Sequence, residues 1–565
     1  MRRPFFVAQS SFLGSVASRA SRHVAKRPDS HGSVLCMFPR KTTEGLATAL
    51  LSSLLILGGC GDDGSTLDGS VDSGPPPDGA PTDTGTGDGG PADGAVDSGR
   101  DGGGPPPTAG RIPRGGDFMG DSERFNRHYT DPGYTPSNTI YVSPTGSGAG
   151  TMADPASPDD AFGRVGAGEE IRFLAGDYDG CWELDGEQSG TYDTPIVIRA
   201  DRADDGSRGV HIQCCTTGRQ ACFNLEGADY VAIDGFVLEG GNYGVRTVGL
   251  GYAGSEHQVG VAIIDNEGFD QNRDPFFSGQ SDWIAVDANV AHGAGSGDGH
   301  GIYLSNGSDW MIVRGNDLYD NASSDFQINA DPLSTCEDVG IAFDAPACDG
   351  SARDGLGQGV SEFVLVENNY FHNGANSGPN FTSVRNSVIR NNIIGFYQRH
   401  GTSFWQETDN PNLGSSDNII QHNLFIGEQS GRHVLQFSRY SDRNDVRNNV
   451  LLGISMSGTS AMADPGVVLL ELDTATTTAN VFEGNYYSGG SFDGHSPTAS
   501  EVVNAAFESN WFEDFPFDRM GSPASLRPSS AAPFLDAASP TADTPHDREG
   551  TPRATPTDLG PYERE

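Results

Sequence analysis

Lysine is almost missing: Lys26 and Lys41 are the only two in 565 residues, and both precede residue 60. Lysine is therefore excluded from any mechanism of the remaining chain. Apolar residues are also scarce, at 35%, while glycine and proline number 77 and 34, which argues against a large helical core and for short strands joined by tight turns. Beyond Cys60 the chain keeps 27 basic residues, all arginine, against 75 acidic ones, a formal charge of −48. Nucleic acid and anionic membrane surfaces are thereby excluded as partners of the protein as a whole. Six cysteines follow Cys60, and no histidine stands at ligand spacing from them, which sets a zinc site aside. An even number in an exported chain favours disulfides: Cys336 with Cys348, and Cys181 with the Cys214, Cys215 and Cys222 group.

The leading sixty residues differ from everything after them. They hold eight basic residues against Asp29 and Glu44. Met37 to Lys41 reads as a charged n-region, Leu46 to Leu57 as an apolar h-region too short to span a bilayer comfortably, and Leu57-Gly58-Gly59-Cys60 resembles a bacterial lipobox. Residues 1–60 are thus expected to be a signal peptide whose true start is Met37, with lipidation at Cys60. The alternatives are a Sec signal that happens to contain a cysteine, or a short membrane helix. Residues 61–109 are almost entirely Gly, Asp, Pro, Ser, Thr and Ala and are expected to form a disordered, self-repelling linker. The folded domain, with a C-terminal tail, is placed at 110–565.

A repeat runs through that domain. Ile312 to Leu318, Leu365 to Phe371, Val388 to Ile394, Ile419 to Phe425, Asp445 to Leu451 and Val481 to Tyr487 share one pattern around a common asparagine. Three residues before it stands an apolar side chain (Val313, Val366, Ile389, Ile420, Val446, Phe482), and two after it an apolar or aromatic one (Leu318, Phe371, Ile394, Phe425, Leu451, Tyr487). Both rows are expected to point inward, while the polar residue two before it faces out. The asparagine itself suits a bend, tolerating unusual backbone angles and bonding to its equivalent one turn away. A second strand precedes the asparagine strand, as in Ile302-Tyr303-Leu304 and Leu435-Gln436-Phe437. Hairpin signals are missing between neighbouring strands. The pattern fits an all-β solenoid in which each strand pairs with its equivalent one turn later.

Over most of residues 138–565 the chain resembles the pectate-lyase-like right-handed parallel β-helix proteins. The resemblance rests on Tyr141-Val142-Ser143-Pro144-Thr145-Gly146, Ile171 to Tyr178, Thr194 to Ala200 and the closing Asp558-Leu559-Gly560-Pro561-Tyr562. It implies a right-handed parallel β-helix and a polysaccharide substrate. The fold hosts lyases, hydrolases and non-catalytic adhesins, so it does not name an activity.

Lyase members of the family eliminate across a uronic acid, using Ca²⁺ or another cation with a Lys or Arg base; if this chain is a lyase, Arg, His or Tyr must take the proton. His300, His400 and His433 occupy the same position ahead of the second strand, and Arg399 and Arg432 precede two of them. Arg399, His400, Arg432 and His433 are expected to form a basic patch on adjacent turns that meets a sugar carboxylate, with a histidine as acid or base. The competing reading is that these side chains neutralise nearby carboxylates and cap loops. His300 sits in Asp298-Gly299-His300-Gly301, which looks like the Gly-His-Gly turn of polygalacturonase-type hydrolases, although that family's paired aspartates and Arg-Ile-Lys motif have no counterpart. Trp405, Tyr303 and Gln436 are expected to face out and contact sugar. Asp331, Asp338 and Asp344 crowd an insertion and offer oxygen ligands for Ca²⁺, without an EF-hand or nonapeptide signature. The leading expectation is a surface lipoprotein, in the outer membrane or at the cell surface, that binds or cleaves an acidic polysaccharide by lyase-type β-elimination. The alternatives are a non-catalytic adhesion scaffold and a glycoside hydrolase with paired carboxylates, Glu471 and Asp473 being candidate members.

Overall fold

Strands of two to eight residues succeed one another along the chain, and nearly every one pairs with its equivalent one turn later. The computed structural model describes residues 125–564 apart from 127, 131–132, 218–219, 296–297, 352–356, 429–430, 458–459, 515–521, 539–540 and 542. The expected signal peptide, Cys60 and the linker lie outside the described residues. One turn of the solenoid shows the plan: Val388–Arg390 in the first sheet, Ile393–Gly395 in the second, Thr402–Trp405 in the third, then Ile419–Gln421 back in the first. The three sheets hold twelve, thirteen and eleven strands. Their ladders are parallel except where Ser460–Ala463 folds back on Val450–Ser457. The architecture is a right-handed parallel β-helix.

The repeat read from sequence is the rung of this helix. Val313, Val366, Ile389, Ile420, Val446 and Phe482 pair in register and are buried, and so are Leu318, Phe371, Ile394, Phe425, Leu451 and Tyr487. The asparagines form a continuous buried ladder. In Asn316, Asn369, Asn392, Asn423 and Asn449 the backbone N–H and side-chain Nδ2 both donate to Oδ1 of the asparagine one turn on, at 2.9–3.1 Å. The left-handed backbone expected at this asparagine belongs instead to the residue before it: Gly315, Asn368, Asn391, His422, Asn448 and Gly484 all have φ between 54° and 66°. The two roles separate because an amide committed to a ladder needs ordinary strand geometry, while the turn needs a residue that tolerates positive φ.

The outward polar row is only partly a solvent-facing one. Arg314 pairs with Asp287 at 2.6 Å and Arg390 with Glu367 at 2.7 Å, as a surface ladder would. Glu367 and Gln421, however, are buried, because the C-terminal tail folds back over this region. Thr541 and Thr544 donate to Gln421, and Arg390 donates to the Asp543 carbonyl. Further along, Phe507, Trp511, Leu526, Phe534, Leu559 and Tyr562 bury Tyr370, Ile393, Leu424, Val450 and Tyr486 on the outside of the second sheet. On the late coils the tail thus occupies the outer surface of the first two sheets. The third sheet presents a half-buried, polar outer row there, over a stack of Phe381, Phe404 and Phe437 whose rings are 4.6 and 5.0 Å apart. Three disulfides, Cys181–Cys215, Cys214–Cys222 and Cys336–Cys348, complete the cross-links. The Cys336–Cys348 bridge closes the insertion, and Cys181 does join the second cysteine group.

Candidate functional site

Parallel pairing places the same strand position of every turn in one column. On the outside of the third sheet one column runs Phe277, Tyr303, Gln327, Asn380, Ser403, Gln436, Glu471 and Asp493. Tyr303 and Gln436 therefore share a column and face outward, as expected. Trp405 lies two residues beyond Ser403, on the same outer face and half-buried. Its indole N–H donates to Asn380 at 2.6 Å, and Asn380 donates in turn to Gln327 at 2.8 Å. The Arg439 guanidinium sits 5.5 Å above the Trp405 ring, so one face of that ring is taken by a cation.

Another column lies at the leading turn of each strand. Ser324, Ser377 and His400 are joined there by parallel bridges, and the His300 backbone is two residues ahead of Ile302, which pairs with Phe326. His300 is thus in the column but three turns from His400. It belongs to a different environment. The His400 and His433 rings are neighbours, 5.2 Å between centroids. The Arg432 N–H donates to the Arg399 carbonyl at 2.6 Å, and both arginine side chains are exposed; Arg399 also donates to Asn376 at 3.3 Å.

His433 is buried and tied on both sides. Its Nε2 is 2.9 Å from the Ser403 hydroxyl, and its Nδ1 is 3.3 Å from Glu471 Oε2, a close approach rather than a straight hydrogen bond. Gln436 donates to the other carboxylate oxygen at 2.8 Å. The His433 contact holds the Glu471 carboxyl below its usual range, against the opposing effect of burial. Ser403 carried no local signal in the sequence; only register brings it here. Glu407 was missed in the same way: it accepts from Asn329 at 2.7 Å, and burial, reinforced by Asp331, pushes its carboxyl up.

Two expectations need correction. Asp331, Asp338 and Asp344 form no ligand set, and among the described residues no three His, Cys, Asp or Glu side chains converge to hold a metal ion. Asp331 instead accepts from the Ser334 N–H at 3.3 Å, while Asp338 and Asp344 are exposed, because the disulfide-closed insertion spreads these carboxylates along its surface. Asp473, a candidate member of a carboxylate pair, caps its own turn instead, accepting from Ala475 N–H and the Thr476 hydroxyl.

His300 is buried beside Ser324, and burial holds its pKa down to about 4. Asp274, which accepts the His300 backbone N–H at 2.9 Å, is pushed up to about 7 by the same cause. The two act in opposite senses. The unfolded chain takes up a proton on histidine below its ordinary 6.5, which the folded chain resists, so His300 costs stability as pH falls from about 6.5 to 4. Folded Asp274 keeps its proton up to about 7 whereas the unfolded chain releases it from 3.8, so Asp274 costs stability as pH rises through that window. His300→Gln removes the first effect alone. Measured against the wild type by denaturant unfolding, the variant is expected to fare better at pH 4.5 than at pH 7; an identical difference at both would show that His300 titrates normally.

No family model matches the chain, and no curated protein matches it. Solved structures similar to it include pectate lyase Pel9A, at 14% identity over 77% of this chain and 98% of that one, TM-score 0.47. Another is XylC in complex with xylose, at 10% identity over 76% of this chain and 98% of that one, TM-score 0.44. A third is the A-module of the Azotobacter vinelandii mannuronan C-5 epimerase AlgE4, at 13% identity over 59% of this chain and 90% of that one, TM-score 0.38. At these values no residue role passes from those proteins to this chain.

Proposed function

We propose that the outer face of the third sheet binds an acidic polysaccharide, and that the bound chain is cleaved by β-elimination. The observation that carries this reading is the exposed Arg399–Arg432 pair beside His400 and His433 on adjacent turns of a strongly acidic protein. Strand spacing sets successive turns about 4.8 Å apart, so outward side chains repeat along an extended ligand while the arginines meet its carboxylates. In elimination a base takes the proton next to the uronate carboxyl, the bond to the leaving sugar oxygen breaks, and a double bond forms. The base in this reading is a histidine of the adjacent His400 and His433 pair. We also propose export and a lipid anchor at Cys60; three disulfides fit an oxidising compartment.

A screen of uronate polysaccharides tests the reading, with binding and ultraviolet absorbance of unsaturated product measured together. Arg399→Ala combined with Arg432→Ala is expected to weaken binding at least about tenfold, as the loss of a charged contact does, with thermal stability nearly unchanged. Undiminished binding by the double variant would refute the site. Binding without unsaturated product would leave the face a scaffold and refute elimination.

A further inference from the structure

Ser403, Gln436 and Glu471 pair in register on three successive strands of the third sheet. Ser403 and Glu471 therefore stand in one outward column two strands apart, roughly 9.6 Å at the usual strand spacing. No single hydrogen bond spans that gap. His433 fills it from the turn that leads into the middle strand, with Nε2 2.9 Å from the serine hydroxyl and Nδ1 3.3 Å from the carboxylate. Hydroxyl, imidazole and carboxylate in that order make the arrangement that converts a serine into a nucleophile: the imidazole accepts the hydroxyl proton and the carboxylate stabilises the resulting cation. Gln436, donating to Glu471 at 2.8 Å, fixes the carboxylate that orients the ring.

We propose that Ser403 is an acyl-accepting nucleophile and that this face removes ester-linked acyl groups from a glycan. A glycosidic bond has no carbonyl for serine to attack, whereas an O-acyl substituent projecting from a sugar does. Ser403 Oγ adds to the ester carbonyl carbon as its proton passes to His433 Nε2. The tetrahedral intermediate collapses, the bond to the sugar oxygen breaks, and that oxygen takes the proton from His433. Water then gives a proton to His433 and attacks the acyl-serine; the bond to Ser403 Oγ breaks, that oxygen takes the proton back from His433, and the carboxylic acid is released. The carboxamides of Asn380 and Gln436 flank Ser403 on the strands before and after it. Each NH₂ has a second hydrogen besides the one given to Gln327 or Glu471, which it can offer to the developing oxyanion.

The glycan in this proposal rests on the polysaccharide reading above; the reactive serine does not. The test is to treat the full chain with a fluorophosphonate probe and to map the modified peptide. Labelling at Ser403 is expected, with none in Ser403→Ala and a fall of about a hundredfold or more in His433→Gln. Wild-type protein unlabelled at Ser403 would overturn the proposal. Acetate release from an acetylated uronate polysaccharide, measured beside ultraviolet absorbance, separates the two readings: acetate without unsaturated product supports the esterase and refutes the lyase. Hydrolysis of p-nitrophenyl acetate by Ser403→Ala at the wild-type rate would also overturn the assignment, and that variant removes only a half-buried hydroxyl, so its fold can be checked by its thermal midpoint.

Discussion

Asn392→Ala is expected to destabilise the protein by about 3–9 kcal/mol. Asn392 is fully buried. Its Oδ1 accepts from both the backbone N–H and Nδ2 of Asn369, and its Nδ2 donates to the Val366 carbonyl and to Asn423. Alanine removes the acceptor from two buried donors and the donor from a buried carbonyl. Three such groups left unmade, at about 1–3 kcal/mol each, give the expected range. Asn423 keeps one donor, the Asn392 backbone N–H, so the damage falls mainly on the preceding turn. Denaturant unfolding followed by circular dichroism checks this. A loss below about 1 kcal/mol would mean that water takes over the ladder, and the asparagines would then be turn formers only.

The other large effect is all-or-none. If lipid attached to Cys60 is the anchor, as proposed, Cys60→Ala abolishes incorporation of a fatty-acid analogue and moves the protein from the membrane fraction to the soluble one. Each buried methylene contributes about 0.8 kcal/mol to membrane attachment, so removing every acyl chain removes the whole of that affinity, and a protein with 75 acidic residues beyond that cysteine has no electrostatic substitute on an anionic membrane. Label retained in Cys60→Ala would place the lipid elsewhere or refute lipidation. Label lost with the protein still sedimenting would show a second attachment.

The inward columns were legible in the sequence because alternation is a local property: Ile389 points inward for the same reason that Val366 and Ile420, its partners on the neighbouring turns, do. The outward apolar column of Ile312, Leu365, Val388 and Ile419 was not legible, since nothing local separates an outer apolar residue covered by Trp310 and Phe363 from an inner one. The Arg399, His400, Arg432 and His433 group was legible as a repeated position ahead of the strand, and the structure does set the two imidazoles side by side. Ser403 and Glu407 were invisible, because a serine or a glutamate on a strand carries no pattern that names its partner.

By itself the sequence determined the solenoid, its inward columns, its asparagine ladder and the acidity of everything beyond Cys60, because hydrophobic alternation and composition act over a few residues. Only the tertiary structure decided that Ser403, His433 and Glu471 meet, and that the tail covers the late coils of the first two sheets rather than the third. The physical reason is that insertions of very different length close onto the same rung at little added entropic cost, the ladder asparagines being 23 to 53 residues apart. Sequence separation therefore says little about which side chains become neighbours. Backbone hydrogen bonding between equivalent strands sets the register, and the register decides the site.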